Sequence, residues 1–510
     1  MTQDSNAADS TSPLDPPADR VAHWGHATVD AMSRYVATLR ERPVHQPTTA
    51  ARIRERLDSA LPQGPADFDE VLRTFHEVMV PMSRHSGHPR MFGYVQSPGT
   101  PVAALADFIA STLNSNVTAW RSAPAAAEIE RLSIDWIRQI LGVESGAAGL
   151  FVSGGSMANL TALATARRAK ASTDVARAGA RSEPRAMRLY ASAETHHSIA
   201  KAAALLGIGA DHVRLIEVDE RSRVRVDELI DRIEEDVREG YLPFCVVANA
   251  GTVATGAIDP LETLAEVARR FGLWLHVDAS YGGFAALAPS VRQRFVGLRE
   301  ADSIALDPHK WLYLPIDCGC VLFRDPSTAR ATFAHDAEYT RVMERDPDQT
   351  FAFWDYGPEL SRRFRALKVW ALLRCVGVRA LGEAIEANID CARHFERLVE
   401  ASEDFEMLAP VELSIFCFRY VPAAMRMALD RSDAVERARL DRELDALNER
   451  LLVALQRDGS SYLSNAGLGG RFSLRGCVLN YRTTRRDMEI LLADLRRVAS
   501  GIRREAPDSC

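Results

Sequence analysis

Asp307-Pro308-His309-Lys310-Trp311 puts an amine beside an imidazole and an indole. The stretch follows Ala301-Asp-Ser-Ile-Ala-Leu306, which reads as the end of a buried strand. An unpaired ammonium there is costly, so desolvation favours the neutral amine, and a neutral amine is a nucleophile. Composition makes this lysine conspicuous. The chain has lysine only at 170, 201, 310 and 368, against 62 Lys plus Arg. Lys170 follows Arg167-Arg168 on a polar helix face, and Lys201 and Lys368 lie in helical runs, so all three read as solvated charges. The competing reading of Lys310 is a lysine that snorkels from a strand end.

Three further stretches carry chemistry. Ser153-Gly154-Gly155-Ser156 joins a short apolar run to a helical one. Glycines admit close approach of an anion, and a helix N-terminus offers free N–H groups, so this turn could cradle a phosphate. A glycine turn with a serine cap is the structural alternative. Asp278 ends the apolar run Leu273-Trp-Leu-His-Val277. A buried carboxylate needs a partner, and a protonated ring nitrogen would serve; a helix cap or a magnesium ligand are the alternatives. His196 and His197 follow Tyr190-Ala-Ser-Ala-Glu194, where a flat imidazole could stack on a planar cofactor or serve as a hydrogen-bonded structural residue. A phosphate cradle, a buried acid, a stacking ring and a desolvated lysine together match the needs of pyridoxal phosphate, whose ring accepts carbanion electrons. No metal site is expected.

The elements that must position these residues are strands and helices in alternation. Apolar runs at 149–152, 188–191, 213–216, 244–248, 273–277, 303–306 and 320–323 are separated by helical stretches such as 156–170 and 261–271. That predicts a mostly parallel sheet covered by helices, with ligands at the carboxyl ends of the strands. Residues 1–20 are polar and Pro-rich, which predicts a disordered tail. Residues 21–89 carry apolar positions at helical spacing and predict a helical arm that needs another surface to pack on. Residues 90–385 form the large α/β domain, and 386–510 a smaller α/β domain. The long loop 332–358 predicts a lid or binding loop.

Composition excludes other classes. A net charge of −7 and a pI near 6.1 give no basic face for nucleic acid. No run approaches the length of a membrane span, and the polar start is unlike a signal peptide. Eight scattered cysteines predict neither a zinc site nor a disulfide framework, and read as those of a cytoplasmic protein.

Several runs resemble the group II pyridoxal-phosphate-dependent amino-acid decarboxylases, the relatives of aromatic-amino-acid and glutamate decarboxylases. They are His88-Pro-Arg-Met-Phe-Gly-Tyr94, Phe151-Val-Ser-Gly-Gly-Ser-Met-Ala-Asn159, Thr195-His-His-Ser-Ile-Ala-Lys-Ala202, Ala250-Gly-Thr252, His276-Val-Asp-Ala-Ser-Tyr281, Asp307-Pro-His-Lys-Trp311 and Ser361-Arg-Arg-Phe-Arg-Ala-Leu-Lys368. The resemblance implies a fold type I enzyme with a seven-stranded sheet. It implies a homodimer with the active site at the subunit interface and the arm wrapped on the partner. It makes Lys310 the Schiff-base lysine, Asp278 the partner of the ring nitrogen and His196 the stacking ring. Gly155 and Ser156 would bind phosphate with His309 beside it, and Thr252 would lie near the ring substituents. Tyr339, in Phe333-Ala-His-Asp-Ala-Glu-Tyr-Thr340, falls where the family's decarboxylases carry a loop tyrosine that returns a proton. Relatives with phenylalanine there make aldehydes. The substrate pocket would include Tyr94, Val95, Gln96 and Thr118, of which the last three depart from aromatic-specific members. The implied reaction is decarboxylation of an L-amino acid, with an aromatic one leading. Aldehyde synthesis, a non-aromatic substrate or a non-catalytic cofactor-binding protein are the alternatives.

Overall fold

The structure, a computed structural model, describes residues 14–335 and 351–505. Its large sheet has seven strands: β1 (Ala148–Val152), β2 (Met187–Ser192), β3 (Val213–Ile216), β4 (Leu242–Asn249), β5 (Trp274–Asp278), β6 (Ser303–Leu306) and β7 (Gly319–Phe323). The spatial order is β1-β7-β6-β5-β4-β2-β3. The pairs among β2 to β6 are parallel, and β7 runs antiparallel to both β1 and β6. Every residue of β5, β6 and β7 is buried, which explains why they read as unbroken apolar runs rather than alternating ones. Helix Leu261–Phe271 shows how the local sequence turns the chain. Gly272 caps it at φ 66°, a left-handed conformation suited to glycine, and β5 follows at once.

Asn249, Asp278 and Ala305 are register partners across β4, β5 and β6, so the carboxyl ends of these strands are level. Because β7 opposes both neighbours, its start, Gly319, sits level with Val152 at the end of β1. One edge of the sheet thus gathers the ends of β1, β2, β4, β5 and β6.

A second sheet has the order β10-β11-β9-β8, all antiparallel, from β8 (Phe405–Met407), β9 (Ile415–Tyr420), β10 (Ser464–Leu468) and β11 (Arg471–Cys477). It has its own core around Phe395, Phe416, Phe418 and Leu474. Helix Ala366–Glu400 joins the two cores. Its Ile385 and Ile389 pack in the first, and Cys391 and Phe395 in the second. The expected boundary at 385 therefore falls inside a helix, and the handover between cores comes about one turn later.

Other expectations shift. The first described helix, Ala18–Ala37, begins before residue 20, so the end of the expected tail is helical. The run from Ser361 becomes helical only at Ala366, and Arg362 and Arg365 before it are held in ion pairs. Lys368 is not a solvated charge. It is buried, with Nζ 3.0 Å from Asp107 Oδ2 and 2.9 Å from the Pro315 carbonyl. No helix among the described residues is long and apolar enough to cross a membrane.

Candidate active site

The turn after β1 opens the site. Ser153-Gly154 leads into helix Gly155–Lys170; Met157 and Ala158 donate to the Gly154 carbonyl, which leaves the N–H groups of Gly155 and Ser156 without an acceptor in the helix. Two glycines here are demanded by close approach. A Cβ on Gly319 would come within 2.4 Å of Gly154 Cα, and one on Gly155 within 2.5 Å of Ser280 Oγ. Behind the turn, Arg362 is fully buried and paired with Glu130. Arg362 also donates to the Phe151 carbonyl at 2.8 Å, and Glu130 Oε1 accepts from the Phe151 N–H at 3.0 Å. This pair pins the end of β1 and so the turn.

A cavity of about 350 Å³ lies at the strand ends, walled by Gly155, Ser156, His196, Asp278, His309 and Lys310 among others. The sequence-predicted core of the site is thus brought together. Lys310 lies in the short helix Pro308–Trp311, with Nζ 2.9 Å from Asp307 Oδ2. The expected desolvation of this amine is thus not uncompensated, because its neighbour Asp307 supplies a counter-charge. His309 Nδ1 donates to the Cys318 carbonyl at 2.8 Å.

Asp278 is buried, yet its carboxyl lies below the usual carboxylate range. Burial alone would raise it. Hydrogen bonds from Ser280 and Asn159 and the field of Lys310 outweigh burial. Asn159 Nδ2 donates to Oδ2 at 2.8 Å, and the Ser280 backbone N–H to Oδ1 at 3.0 Å. The His196 ring is pushed below its ordinary value mainly by burial, with Asp278 opposing. It stacks obliquely on His197, ring centres 4.1 Å apart.

A second cavity, about 650 Å³, shares His196, Val253 and Lys310 with the first and adds Tyr94, Val95, Glu194 and Arg475. The remaining predicted residues are placed elsewhere. Thr252 does not line either cavity. Its hydroxyl bonds Thr255 Oγ1 at 3.0 Å and accepts from the Ala257 N–H at 3.1 Å, which holds the turn that puts Gly251 and Val253 on the wall. Gln96 lines a separate groove with Arg84 and Arg482. Thr118 is buried away from both cavities, and its carbonyl accepts from Phe353 at 2.9 Å. Tyr339 lies outside the described residues. Among those residues, no three His, Cys, Asp or Glu side chains are grouped to hold a metal ion.

Four wall residues escaped sequence reasoning. In the sequence Asp307 stands as a neighbour of Lys310, and Asn159 as one residue of a run. Ser280 Oγ is buried without a hydrogen-bond partner. Arg475 on β11 is buried, with Nε 3.1 Å from the Ala254 carbonyl and Nη1 3.2 Å from Ser464 Oγ, but its Nη2 has no partner. Nothing in Arg-Phe-Ser-Leu-Arg-Gly-Cys, the sequence of β11, marks this arginine out.

Free N–H groups at a glycine turn, an unpartnered Ser280 hydroxyl, an amine and an ionised acid on one wall fit a planar aldehyde with an anionic arm. Fold and site together define the class: an α/β enzyme that holds pyridoxal phosphate at its strand ends. The family model for the pyridoxal-dependent decarboxylase conserved domain matches residues 51–421. An aromatic-L-amino-acid decarboxylase of Bacillus atrophaeus is 35% identical over 485 residues, covering 95% of this chain and 96% of its own. A phenylacetaldehyde synthase of a Rosa hybrid cultivar is 30% identical over 478 residues, covering 92% and 91%. The crystal structure of Oryza sativa TDC with PLP and tryptamine superposes with a TM-score of 0.86 at 28% identity, covering 96% of this chain and 99% of that one. The chain belongs to the pyridoxal-dependent decarboxylase family. It is a pyridoxal-phosphate-dependent amino-acid carboxy-lyase.

Proposed function

We propose that the substrate is an aromatic L-amino acid, released as its amine, and that the enzyme works as a cytoplasmic homodimer. The observation that carries this reading is the pair of joined cavities, one walled by Lys310, Asp278, His196, Gly155 and Ser156, the other by Tyr94, Val95 and Arg475. The Bacillus relative, named for aromatic amino acids, supports the substrate class. Among the described residues, seven free cysteines, six of them buried, support a reducing compartment.

When bound, pyridoxal phosphate supplies the sink for the electrons of the bond to carbon dioxide. Lys310 holds it through Nζ. Gly155 and Ser156 take its phosphate at the helix N-terminus, with His309 beside them. Asp278, kept ionised, would hold a proton on the ring nitrogen. The neutral His196 ring would pack against the cofactor, and Thr252 holds the adjoining turn. Arg475, on the wall of the second cavity, would receive the substrate carboxylate. Tyr339 returns a proton to the α-carbon after carbon dioxide leaves. Tyr94 and Val95 line the entrance within one chain. Gln96 and Thr118 reach the substrate pocket only if a second subunit completes it.

The reading is tested with purified protein and pyridoxal phosphate. An absorption band near the visible edge should form and should be lost in Lys310→Ala. A panel of amino acids should then yield carbon dioxide and amine, fastest from aromatic ones. A protein that stays colourless with the cofactor rejects the site. Aldehyde and peroxide without amine would favour the second reading, the activity named for the Rosa relative. Fastest turnover of a non-aromatic amino acid rejects the substrate class.

A further inference from the structure

Asn159 sits at the centre of a set of hydrogen bonds whose directions can all be assigned. Its Nδ2 donates both to Asp278 Oδ2, at 2.8 Å, and to Ser198 Oγ, at 2.9 Å. Both amide hydrogens are thereby used. Its Oδ1 is 2.9 Å from His276 Nε2, and an amide oxygen only accepts, so His276 donates from Nε2. His276 is fully buried, and burial pushes it down to about 4, so the ring is neutral and Nδ1 is an acceptor. Ser303 Oγ, 2.9 Å from that Nδ1, must donate to it. The same oxygen accepts from Trp274 Nε1 at 2.8 Å. On the other branch, the Ser198 hydroxyl accepts from Asn159 and has its own hydrogen free for His196 Nδ1, 2.8 Å away. The Ser198 backbone N–H points to that same Nδ1 at 3.3 Å. Two donors on Nδ1 leave Nε2 as the protonated nitrogen of His196.

We propose that Asn159 is a positioning residue that acts through two others, holding Asp278 as an oriented carboxylate and His196 as its Nε2–H tautomer, with Trp274, Ser303 and His276 fixing the amide from behind. The proposal deepens the cofactor-site reading above and rests on it. A flipped amide would turn Oδ1 toward the Asp278 carboxylate, which only accepts, so the carboxylate fixes the amide and the His276 tautomer follows from it. The charged and titratable groups facing Asp278 are Lys310, His276 and His196, and Asp307 in turn faces His196 and Lys310.

The first test needs no cofactor. Ring-15N histidine spectra of the full-length apoenzyme, assigned with His276→Gln and His196→Gln, should show both rings as Nε2–H tautomers, with His276 unprotonated at pH 5.5. A proton on Nδ1 of either ring overturns the proposal. The second test uses Asn159→Asp, which keeps an acceptor for His276 but sets a second carboxylate against Asp278. Two such groups share a proton. Pyridoxal phosphate affinity, read by fluorescence titration relative to wild type at the same pH, should fall by about tenfold at pH 6, a unit's worth of proton competition, and by less at pH 8. His276 should keep its tautomer while His196 becomes mixed, because Ser198 can now donate to the new carboxylate. Wild-type affinity at both pH values in a folded variant overturns the proposal. If wild type forms no band with the cofactor, the site reading fails instead, and the apoenzyme spectra still decide the hydrogen-bond directions.

Discussion

Gly155 shows what a single atom is worth at this site. An added Cβ would lie 2.5 Å from Ser280 Oγ and 2.9 Å from Asp307 Oδ2, both on the cavity wall. Gly155→Ala should therefore weaken pyridoxal phosphate binding by about 1–3 kcal/mol, the usual cost of overfilling a packed site. Fluorescence titration measures it, and unchanged affinity would show that the turn yields freely. Arg475 makes the complementary case. Arg475→Lys keeps the charge but loses the forked donors, so KM for the amino acid should rise about tenfold or more, as expected on losing a charge-assisted hydrogen bond. A KM within twofold of wild type removes Arg475 from the substrate's path. Lys310, Asp278, His196 and Gly155 were legible because each interrupts an apolar run where a strand ends. Asp307, Asn159 and Arg475 were not, because their meaning depends on which side chain another element brings. Lys368 was misread for the same reason: a helical pattern cannot announce Asp107 from helix Pro101–Leu113.

At the scale of elements, the end of β1 is fixed by charges inside the protein. Glu130 on helix Pro124–Ile140 and Arg362 are both fully buried, and both bond the backbone of Phe151. Removing one member of such a pair strands the other without a counter-charge. Glu130→Gln should lower stability by about 3–5 kcal/mol in urea unfolding of the apoenzyme. A loss under about 1 kcal/mol, the range of an exposed pair, would mean that water reaches the pair. The seven strands of the large sheet were legible to within a residue or two, since central parallel strands are apolar throughout. In the small sheet, β8 has three residues, and β10 reads Ser-Asn-Ala-Gly-Leu, so neither shows alternation. They are strands because β9 and β11 hold them, a tertiary cause that local pattern does not carry.

Two properties belong to the whole molecule. His88 and His276 are fully buried in different parts of it, and burial pushes each down to about 4 from an ordinary 6.5. The unfolded chain takes up these protons first as pH falls. Their contribution is thus intact above about pH 6.5 and is lost between there and about 4, up to about 3 kcal/mol for each ring. Asp278, whose carboxyl is lowered, adds its own loss only below its unfolded value of 3.8, outside that window. Thermal unfolding of the apoenzyme should fall steadily across the window, and His88→Asn should reduce the slope; a flat profile contradicts the buried neutral rings. The second property is assembly. Helix Pro101–Leu113 packs inward through Ala103, Ala106 and Ala110, and turns Leu105, Phe108, Ile109 and Leu113 outward at 46%, 62%, 53% and 60% exposure. Four large apolar side chains on one helix face mark a surface that another molecule covers. On the proposed homodimer a second copy would be that occupant. Phe108→Asp should leave the fold intact, because that ring is exposed, yet move the protein from dimer to monomer in sedimentation velocity at micromolar concentration. Amine formation should fall with it and recover as protein concentration rises. A wild-type monomer with full activity would reject the shared site, and a dimeric Phe108→Asp would place the interface on another face.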